Sequence, residues 1–468
     1  MTKEEEHVKT YETRDIDLGA LVRLLSKEPY LPNSQGVRNH LIVGLTSRLD
    51  PTEQRAEDGG PQGWNTLYNS QPGVQVVVFG DVPSEILMAG SRASSSRTSG
   101  GAGDGRTTAP VWGIALVFPS KWRSDDNPLS FMRRPQVLLW MSNERSLARE
   151  WLRCTGGDGP VAPLDETSRS LVSFVFEGWL PGAYQRYIRS QGERLRLSDD
   201  VIEQHLQEVD VVVAALDEHF LRALLEIVPE AQEGQDSRQA RIEWHGTYGA
   251  FSLPLDDSTG QRAQAIEKGL QQPSSRWSIE DVSPPAVDAI LQSNKIPFPR
   301  SHVLRKPFLS VVVRDRLGPS EISAAAATGP RDNRYALEQN RGSLAGWAYT
   351  HEDLSLASLH VPPAYRRLGA KGAGSTTEKT THSPPSVGRL IVEVLSDKVQ
   401  AHLKQALARF GCDLEELSRC QSQGEAACAW HLRADTEVGP GSAEEFYKRM
   451  GFKRMANLTW SGLKMPIG

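Results

Sequence analysis

Cysteine is scarce in this chain, and no two cysteines form a close pair. The 468 residues include four, Cys154, Cys412, Cys420 and Cys428. Their spacing differs from the short paired spacing of zinc ligands, and so few thiols do not make a disulfide framework. We therefore expect no bound metal and a reducing compartment, with the cytoplasm favoured and the nucleus as the alternative.

Long apolar runs and a strong excess of charge are missing as well. The segment from Met1 to Glu6 is acidic and lacks the apolar core of a signal peptide, and no apolar run approaches the length of a membrane-spanning helix. The formal net charge of −5 argues against a nucleic-acid-binding surface. We expect neither a membrane nor a nucleic acid as partner, and the sequence leaves the oligomeric state open.

Several common catalytic motifs are absent from the sequence. It contains no Gly-x-x-x-x-Gly-Lys-Ser/Thr loop, no His-Glu-x-x-His pair and no Gly-x-Ser-x-Gly turn. With 38% hydrophobic and 24% charged residues, the composition is that of an ordinary globular protein. The length predicts two or three domains, because single cores rarely grow beyond about 250–300 residues.

The alternation and clustering of apolar residues predict a mixed α/β protein. Short β-branched segments bounded by Pro, Gly or Asp predict strands, and apolar residues at helical spacing predict helices. The predicted strands of the first half are Val74–Phe79, Val111–Phe118, Val137–Met141 and Leu171–Phe176. The predicted helices are Leu21–Leu25, Gly36–Leu49 and a long one from Ser198 to Val228.

Polar, Gly/Ser-rich segments divide the chain. We predict an N-terminal mixed α/β domain over residues 1–229, a linker region over 230–274 and a second domain over 275–468. Two low-complexity segments of the second domain, 318–341 and 371–385, cannot bury enough apolar surface to order themselves. We interpret them as loop insertions.

The stretch from Gly346 to Asp397 carries most of the functional information. Two predicted strands end at Leu359-His360-Val361, and a proline-marked turn leads to Arg366-Arg367-Leu368-Gly369-Ala370. With residues 371–385 looped out, a helix begins at Val387-Gly388-Arg389, because Ser383-Pro-Pro-Ser386 cannot lie inside a helix. Unpaired amides at a helix start favour an anion, and arginines can bind phosphate oxygens in a forked geometry. The segment predicts a pyrophosphate site.

The same residues resemble a known superfamily. The order strand, Arg-Arg-x-Gly, helix is similar to the acyl-CoA loop of the GNAT N-acetyltransferases, and Leu359 to Arg367 resembles the glycine-N-acyltransferase-like branch. Residues 290–297 and 307–313 are similar to that branch's first helix and second strand. Residues 443–452 resemble the terminal Tyr-containing helix. The resemblance covers residues 275–468 and implies an α/β GNAT fold, preceded by a possibly degenerate copy of it.

The resemblance also implies an activity and its residues. It implies transfer of an acetyl group from acetyl-CoA to an amine by direct attack in a ternary complex, without a metal. The amide of Val361 would polarise the thioester carbonyl, and Tyr447 would protonate the departing thiolate. The cofactor-binding residues implied are Leu359, His360, Val361, Arg366, Arg367, Leu368, Gly369, Ala370, Val387, Gly388 and Arg389.

The general base and the catalytic competence stay open at this point. Family members often carry a glutamate on the fourth strand, where this chain has Ser355. His351, Glu352, Asp353 and His360 are nearby alternatives, as is bulk water. A rival interpretation is a non-catalytic acyl-CoA-binding or interaction protein that retains the fold. Another is that the main function lies in the N-terminal half.

Overall fold

A single mixed sheet organises the molecule. The computed structural model describes residues 8–27, 36–41, 75–89, 91, 111–118, 136–143, 165–206, 208–228, 240–255, 275–282, 286–287, 290–291, 309–316, 343–351, 354–366, 386–409, 431–439 and 443–466. Twelve strands of these ranges form the sheet. They are β1 (Thr10–Glu12), β2 (Gln75–Gly80), β3 (Trp112–Phe118), β4 (Gln136–Met141), β5 (Glu208–Asp217), β6 (Arg241–Pro254), β7 (Trp277–Glu280), β8 (Ser310–Asp315), β9 (Ser343–Thr350), β10 (Ser355–His360), β11 (His431–Glu437) and β12 (Lys453–Pro466).

The helices connect these strands. They are α1 (Leu18–Lys27), α2 (Glu166–Ser173), α3 (Leu180–Leu195), α4 (Asp199–Leu206), α5 (Glu218–Ile227), α6 (Val387–Arg409) and α7 (Glu444–Arg449). A π-helical segment, Phe174–Trp179, joins α2 to α3 without a break. Residues 36–41 are also helical. The longest helix, α6, has 23 residues and packs on β8 and β9.

The strand order is the same from either end of the sheet. It is β1-β2-β3-β4-β5-β12-β6-β11-β10-β9-β8-β7. Strands β1 to β6 therefore each have a counterpart among β7 to β12, and the connecting helices match: α2 to α4 correspond to α6, and α5 corresponds to α7. The predicted fold class, a mixed α/β sheet with a second half preceded by a similar first half, is confirmed.

The two halves exchange their last strands. The final strand of the first half, β6, pairs with β11 of the second half. The final strand of the second half, β12, pairs with β5 of the first half, and β6 and β12 lie antiparallel beside each other at the centre. Each half therefore completes its sheet with a strand from the other.

One pair of neighbouring strands in each half is parallel and separates after a short contact. In the second half, β10 meets β11 only through Ser355–Arg433 and Leu356–Ala434. The later residues of β10 remain paired with β9. The fourth strand of this half thus diverges from its neighbour after two residue pairs.

The largest buried cluster contains residues from both halves. Val37 and Leu41 of the first half belong to the same cluster as Leu390 and Tyr447 of the second. A Cβ atom placed on Gly36 would lie 3.4 Å from Nη1 of Arg433 in β11. The helical residues 36–41 therefore pack directly against the second half.

Two predictions of secondary structure are wrong. The segment predicted as one helix from Ser198 to Val228 is α4, β5 and α5. Its valines are buried consecutively from Val211 to Val213, on both faces of the sheet, and such a run also satisfies helical spacing. The predicted strand Leu171–Phe176 is helical, with Leu171, Val172, Val175 and Phe176 buried at helical spacing.

The insertions 318–341 and 371–385 lie outside the described residues, whereas residues 241–254, inside the segment predicted as a linker, form β6. The predicted boundaries 1–229, 230–274 and 275–468 stay a prediction. No helix within the described ranges is long and apolar enough to cross a membrane. In the same ranges no cluster of three or more His, Cys, Asp or Glu residues is placed to hold a metal ion.

Candidate functional site

The candidate site begins where β10 ends. Leu359, His360 and Val361 follow the point at which β10 leaves β11, and all three are half-buried. Leu359 and Val361 pack against the large core cluster. The bridges between β10 and β11 end at Leu356, so from Leu359 to Val361 the chain lies apart from β11.

Gly346 allows α6 to approach this strand end. A Cβ atom at Gly346 would lie 2.9 Å from the carbonyl oxygen of His360, 2.8 Å from Cδ1 of Ile391 and 3.2 Å from Cγ1 of Val387. Real Cβ atoms almost never come so close to other heavy atoms. The glycine therefore sets the distance between β9, β10 and the start of α6.

A second glycine brings the helix start against the strand end. A Cβ atom on Gly388 would meet a ring carbon of Phe446 at 3.1 Å and Cγ2 of Val361 at 3.7 Å. Three parts of the chain thus meet here: the end of β10, the start of α6 and the helix α7 that carries Tyr447. These predicted site residues are distant in sequence and adjacent in the fold.

The first turn of α6 presents its amides at the same place. The amide of Leu390 donates to the carbonyl oxygen of Ser386 at 2.9 Å, and the amide of Arg389 lies 3.4 Å from the Ser386 hydroxyl. The first amides of an α-helix have no partner inside the helix, and the helix dipole makes this end positive. The guanidinium of Arg389 pairs with Glu393 at 2.8 Å and is exposed.

Arg366 bends back onto the strand end. It follows a 3-10 turn, Pro363–Tyr365, and its Nε donates to the carbonyl oxygen of Val361 at 2.7 Å. The guanidinium is exposed and keeps further N–H donors for an anion. The bond fixes the peptide that leaves Val361. Arg367, Leu368, Gly369 and Ala370, which the sequence assigned to the same site, lie outside the described residues.

Tyr365 anchors the turn that carries Arg366. Its side chain is buried, and its ring meets the ring of Trp277 edge-on at 6.1 Å. The guanidinium of Arg276 lies over Trp277, 4.8 Å from the ring centre, and binds Asp315 through two hydrogen bonds of 3.0 and 2.7 Å. Burial, together with Asp315, raises the pKa of Tyr365 to about 12. The phenol is therefore neutral at physiological pH.

The sequence analysis assigned no role to Tyr365, which lies within the segment from Leu359 to Arg367. The only pattern that could have indicated a role is a single aromatic residue directly before two arginines. The residues that hold it lie far away in the chain, at the edge strand β7 and its neighbour β8. Only the fold shows that Trp277 and Arg276 belong to the same structure as Arg366.

His360 is held by an aromatic neighbour. Its ring stacks on the indole of Trp347, with 4.5 Å between the ring centres and 22° between the planes. Burial lowers the pKa of His360, and the positive charge of Arg366 lowers it further. The imidazole is thus neutral at neutral pH and able to accept a proton.

Tyr447 lies in an aromatic cluster. Its ring stacks near Phe251 at 6.0 Å and contacts Phe446 and Phe452 at 5.6 and 5.3 Å between ring centres. Burial raises the pKa of Tyr447 far above the usual range, and the nearby charge of Asp435 raises it further. The phenol keeps its proton over the whole physiological pH range.

Another candidate base, His351, directly follows β9. The amide of His351 donates to the carbonyl oxygen of Ser355 at 2.7 Å, and Leu354 has a left-handed backbone with φ 62°. Ser355 is buried opposite Arg433, at the beginning of β10 rather than at its open end. Glu352 and Asp353 lie outside the described residues.

Comparisons with known proteins give weak matches. No family model and no curated protein sequence matches the chain. A solved Drosophila protein is 11% identical, covers 97% of this chain and 98% of its own, and superposes with a TM-score of 0.41. A tandem GNAT protein from the clavulanic acid biosynthesis pathway is 10% identical over 99% of both chains, with a TM-score of 0.33. A putative GNAT-family acetyltransferase from Novosphingobium aromaticivorans is 10% identical over 55% of this chain and 74% of its own, with a TM-score of 0.26.

Proposed function

We propose that this protein is an acyl-CoA-dependent N-acyltransferase of the GNAT type, whose second half transfers an acetyl group from acetyl-CoA to an amine. One observation carries the proposal: the open end of β10 lies directly against the glycine start of α6, with Val361 3.7 Å from a Cβ position on Gly388. An extended main chain for a pantetheine arm and a helix N-terminus for a pyrophosphate therefore occur side by side.

The anionic part of the donor would bind at the start of α6. The amides of Val387, Gly388 and Arg389 lie at the N-terminus of α6, which is the positive end of the helix dipole. Arg366 lies beside this helix start, at the end of β10. We include Arg367, Leu368, Gly369 and Ala370 in this site from their place in the motif. Leu359, His360 and Val361 would bind the pantetheine arm through their backbone.

The reaction would proceed in one ternary complex. The amine nitrogen attacks the thioester carbon, the carbonyl oxygen becomes an oxyanion, and the amide of Val361 donates a hydrogen bond to it. The amine loses its proton to a base, the carbon–sulfur bond breaks, and the thiolate leaves. Tyr447 is the proposed proton donor to the thiolate, and His360 is the proposed base, because its imidazole is neutral and adjacent to Val361.

Calorimetric titration with acetyl-CoA tests the proposal. We expect micromolar binding by the wild type and a loss of affinity of at least about tenfold in Arg366→Ala/Arg367→Ala, because charge-assisted hydrogen bonds to phosphate are lost. Arg189→Ala is the matched control: this exposed arginine lies on α3 of the first half and pairs with Glu203, so its loss should leave the affinity unchanged. A folded wild-type protein that binds no acetyl-CoA would refute the proposal.

A non-catalytic acyl-CoA-binding protein is the second candidate. The observation in its favour is that β10 carries Ser355, not an acidic side chain, at its buried start. Binding assays cannot separate the two candidates, whereas turnover can. Release of free CoA in the presence of a panel of amines would establish the enzyme, and binding without any CoA release would establish the sensor.

A further inference from the structure

One face of the exchanged strand β6 carries two aromatic rings that lie over glycines. A Cβ atom on Gly462 of β12 would collide with Nε1, Cε2 and Cδ1 of Trp244, so the indole covers this glycine. A Cβ atom on Gly246 would lie 3.3 Å from Cε2 and 3.4 Å from the hydroxyl oxygen of Tyr248. The two glycines let both rings lie close to the backbone, and Trp244 is still 48% exposed.

A carboxylate stands beside these rings. Trp244 and Tyr248 are an even number of residues apart in β6 and therefore share one face of the sheet. Tyr248 pairs directly with Glu437 at the end of β11, which places their Cβ atoms about 5 Å apart. Glu437 is exposed and has no ion-pair partner among the described residues. A negative charge beside exposed ring faces attracts an organic cation.

This β6–β11 surface, formed by Trp244, Tyr248 and Glu437, faces away from helix α7. Ala434, three residues before Glu437 in β11, pairs with Phe251, and the ring of Phe251 stacks near Tyr447 of α7. Because side chains alternate along a strand, Ala434 and Glu437 point to opposite faces of the sheet. The surface thus lies on the side of the sheet opposite to the proposed acyl-donor site.

The proposed base, His360, faces the same side as this surface. Its ring stacks on Trp347, its partner in β9, whereas the next residue, Val361, contacts the start of α6. The register Leu356–Ala434 brings the end of β10 level with the end of β11, within about one residue. One strand spacing, widened by the divergence of the two strands, then separates His360 from Glu437 by about 5–10 Å.

We propose that the acceptor of the acyl group is a diamine or a longer polyamine. One amine reaches His360 and attacks the thioester, and a second amine, still protonated, binds Glu437. The rings of Tyr248 and Trp244 contact the methylene chain and the remaining positive charge. The proposal rests on the proposed function for the reaction, and on the contacts of β6 and β11 for the surface. Because β6 is the last strand of the first half, the acceptor site needs both halves.

Turnover of matched amines tests the acceptor class. Release of free CoA from acetyl-CoA is measured for the full chain with 1,5-diaminopentane, 1-aminopentane and 6-aminohexanoate, which carry an ammonium, a methyl and a carboxylate at the far end. We expect kcat/KM to be at least about tenfold higher for the diamine than for the monoamine, and lowest for the amino acid, whose carboxylate Glu437 repels. Equal values, or a preference for 2-phenylethylamine over the diamine, would overturn the proposal.

Glu437→Gln separates binding of the second charge from chemistry. We expect the KM for 1,5-diaminopentane to rise about tenfold with little change in kcat, because the ammonium at this position does not react. The KM for 1-aminopentane should stay the same. Glu226→Gln is the matched control, an exposed glutamate on α5 of the first half, and should behave as the wild type does. An equal rise in KM for both amines would show that Glu437 has only a structural role.

Gly462→Ala tests the rings while Trp244 stays in the chain. The added methyl group takes the space of the indole, which is exposed and can turn away. We expect the KM for 1,5-diaminopentane to rise about three- to fivefold, as in Trp244→Ala, because a contact between a cation and a ring face is lost. Melting temperatures identify a variant that fails to fold. An unchanged KM in folded Trp244→Ala would show that the ring takes no part.

Binding of acetyl-CoA distinguishes failure of this proposal from failure of the proposed function. A chain that binds acetyl-CoA but releases CoA no faster with the diamine than with the monoamine overturns the acceptor class and leaves the donor site intact. A folded chain that binds no acetyl-CoA refutes the proposed function, and the acceptor class is refuted with it.

Discussion

Single residues set how closely the elements of the candidate site approach one another. Gly346 and Gly388 contribute no side chains, and both bring α6 against the ends of β9 and β10. Arg366 has two roles in the proposed function: its guanidinium holds the carbonyl of Val361, and it binds the pyrophosphate of the acyl donor. The site therefore depends as much on small and backbone groups as on ionisable ones.

Gly346→Ala should damage both stability and binding. The added methyl group would meet the His360 carbonyl at 2.9 Å, and a backbone atom cannot move aside cheaply. We expect a loss of about 1–3 kcal/mol in the free energy of unfolding and weaker acetyl-CoA binding. Denaturant titration measures the first. Gly178→Ala is the control, because its nearest neighbour, Phe174, is at 3.6 Å; equal losses in both variants would contradict the prediction.

The neutral state of His360 predicts a pH dependence. Because its pKa is lowered in the fold, the base is fully available above the unperturbed value of about 6.5 and is lost only at lower pH. We expect kcat/KM to fall below that pH in the wild type, and His360→Gln to lower kcat by about 10²-fold and remove this acidic limb. His351→Gln should leave the limb in place. If the reverse holds, His351 is the base.

Tyr447 should contribute modestly as a proton donor. Its raised pKa makes proton transfer to a thiolate unfavourable, since the thiol is the stronger acid. We expect Tyr447→Phe to lower kcat by at most about tenfold, below the usual range for general acids, with stability unchanged. Stopped-flow and melting measurements on the same preparation check both. A loss of about 10³-fold in kcat would show that the phenol is a required acid.

At the scale of elements, the 3-10 turn Pro363–Tyr365 packs against the edge strand β7 and is followed by Arg366 of the candidate site. Tyr365→Ala should cost about 3–5 kcal/mol and weaken acetyl-CoA binding, because the ring that seats the turn against Trp277 is lost. Tyr365→Phe keeps the ring and should bind acetyl-CoA as the wild type does. Calorimetry on both variants is decisive: equal binding by the two would mean that the turn does not position Arg366.

Elements whose residue pattern fits only one kind of secondary structure were predictable from the sequence. Elements whose pattern fits both a helix and a strand were not. Strands β2, β3 and β4 were predicted because β-branched runs ended at Gly or Pro. Strand β5 was missed because valines buried on both faces of a sheet also fit a helical stripe. Strand β6 was missed because its middle is exposed and polar, and its place at the centre of the sheet depends on the exchange of strands.

The residues of the candidate site likewise include some that the sequence predicted and others that it did not. The residues from Leu359 to Val361 and the helix start at Val387 were placed by a motif, because their order along the chain is itself the signal. The support behind them was not predictable: Trp347 stacks on His360, and Trp277 holds Tyr365. Such contacts join residues that are distant in sequence, and they become visible only when the strand order is known.

At the scale of the whole molecule, the two halves share one sheet and one core cluster. Strand β6 of the first half lies between β11 and β12, and the helical residues 36–41 pack against Arg433. We predict that a fragment of residues 275–468 alone is insoluble or unfolded, because it lacks β6 and leaves β11 and β12 without the strand that joins them. Co-expression with residues 1–274 should restore a soluble complex that binds acetyl-CoA. A well-folded 275–468 fragment, judged by a cooperative thermal transition, would contradict this.

The exchange of the final strands, β6 and β12, limits how the sequence of this protein can evolve. Two tandem copies that share only a linker can lose one member without harm to the other. Here deletion of either copy leaves its sibling without a strand, so neither copy can be lost alone, whatever site it carries. We therefore expect β6 and β12 to tolerate fewer substitutions than the loops of either half.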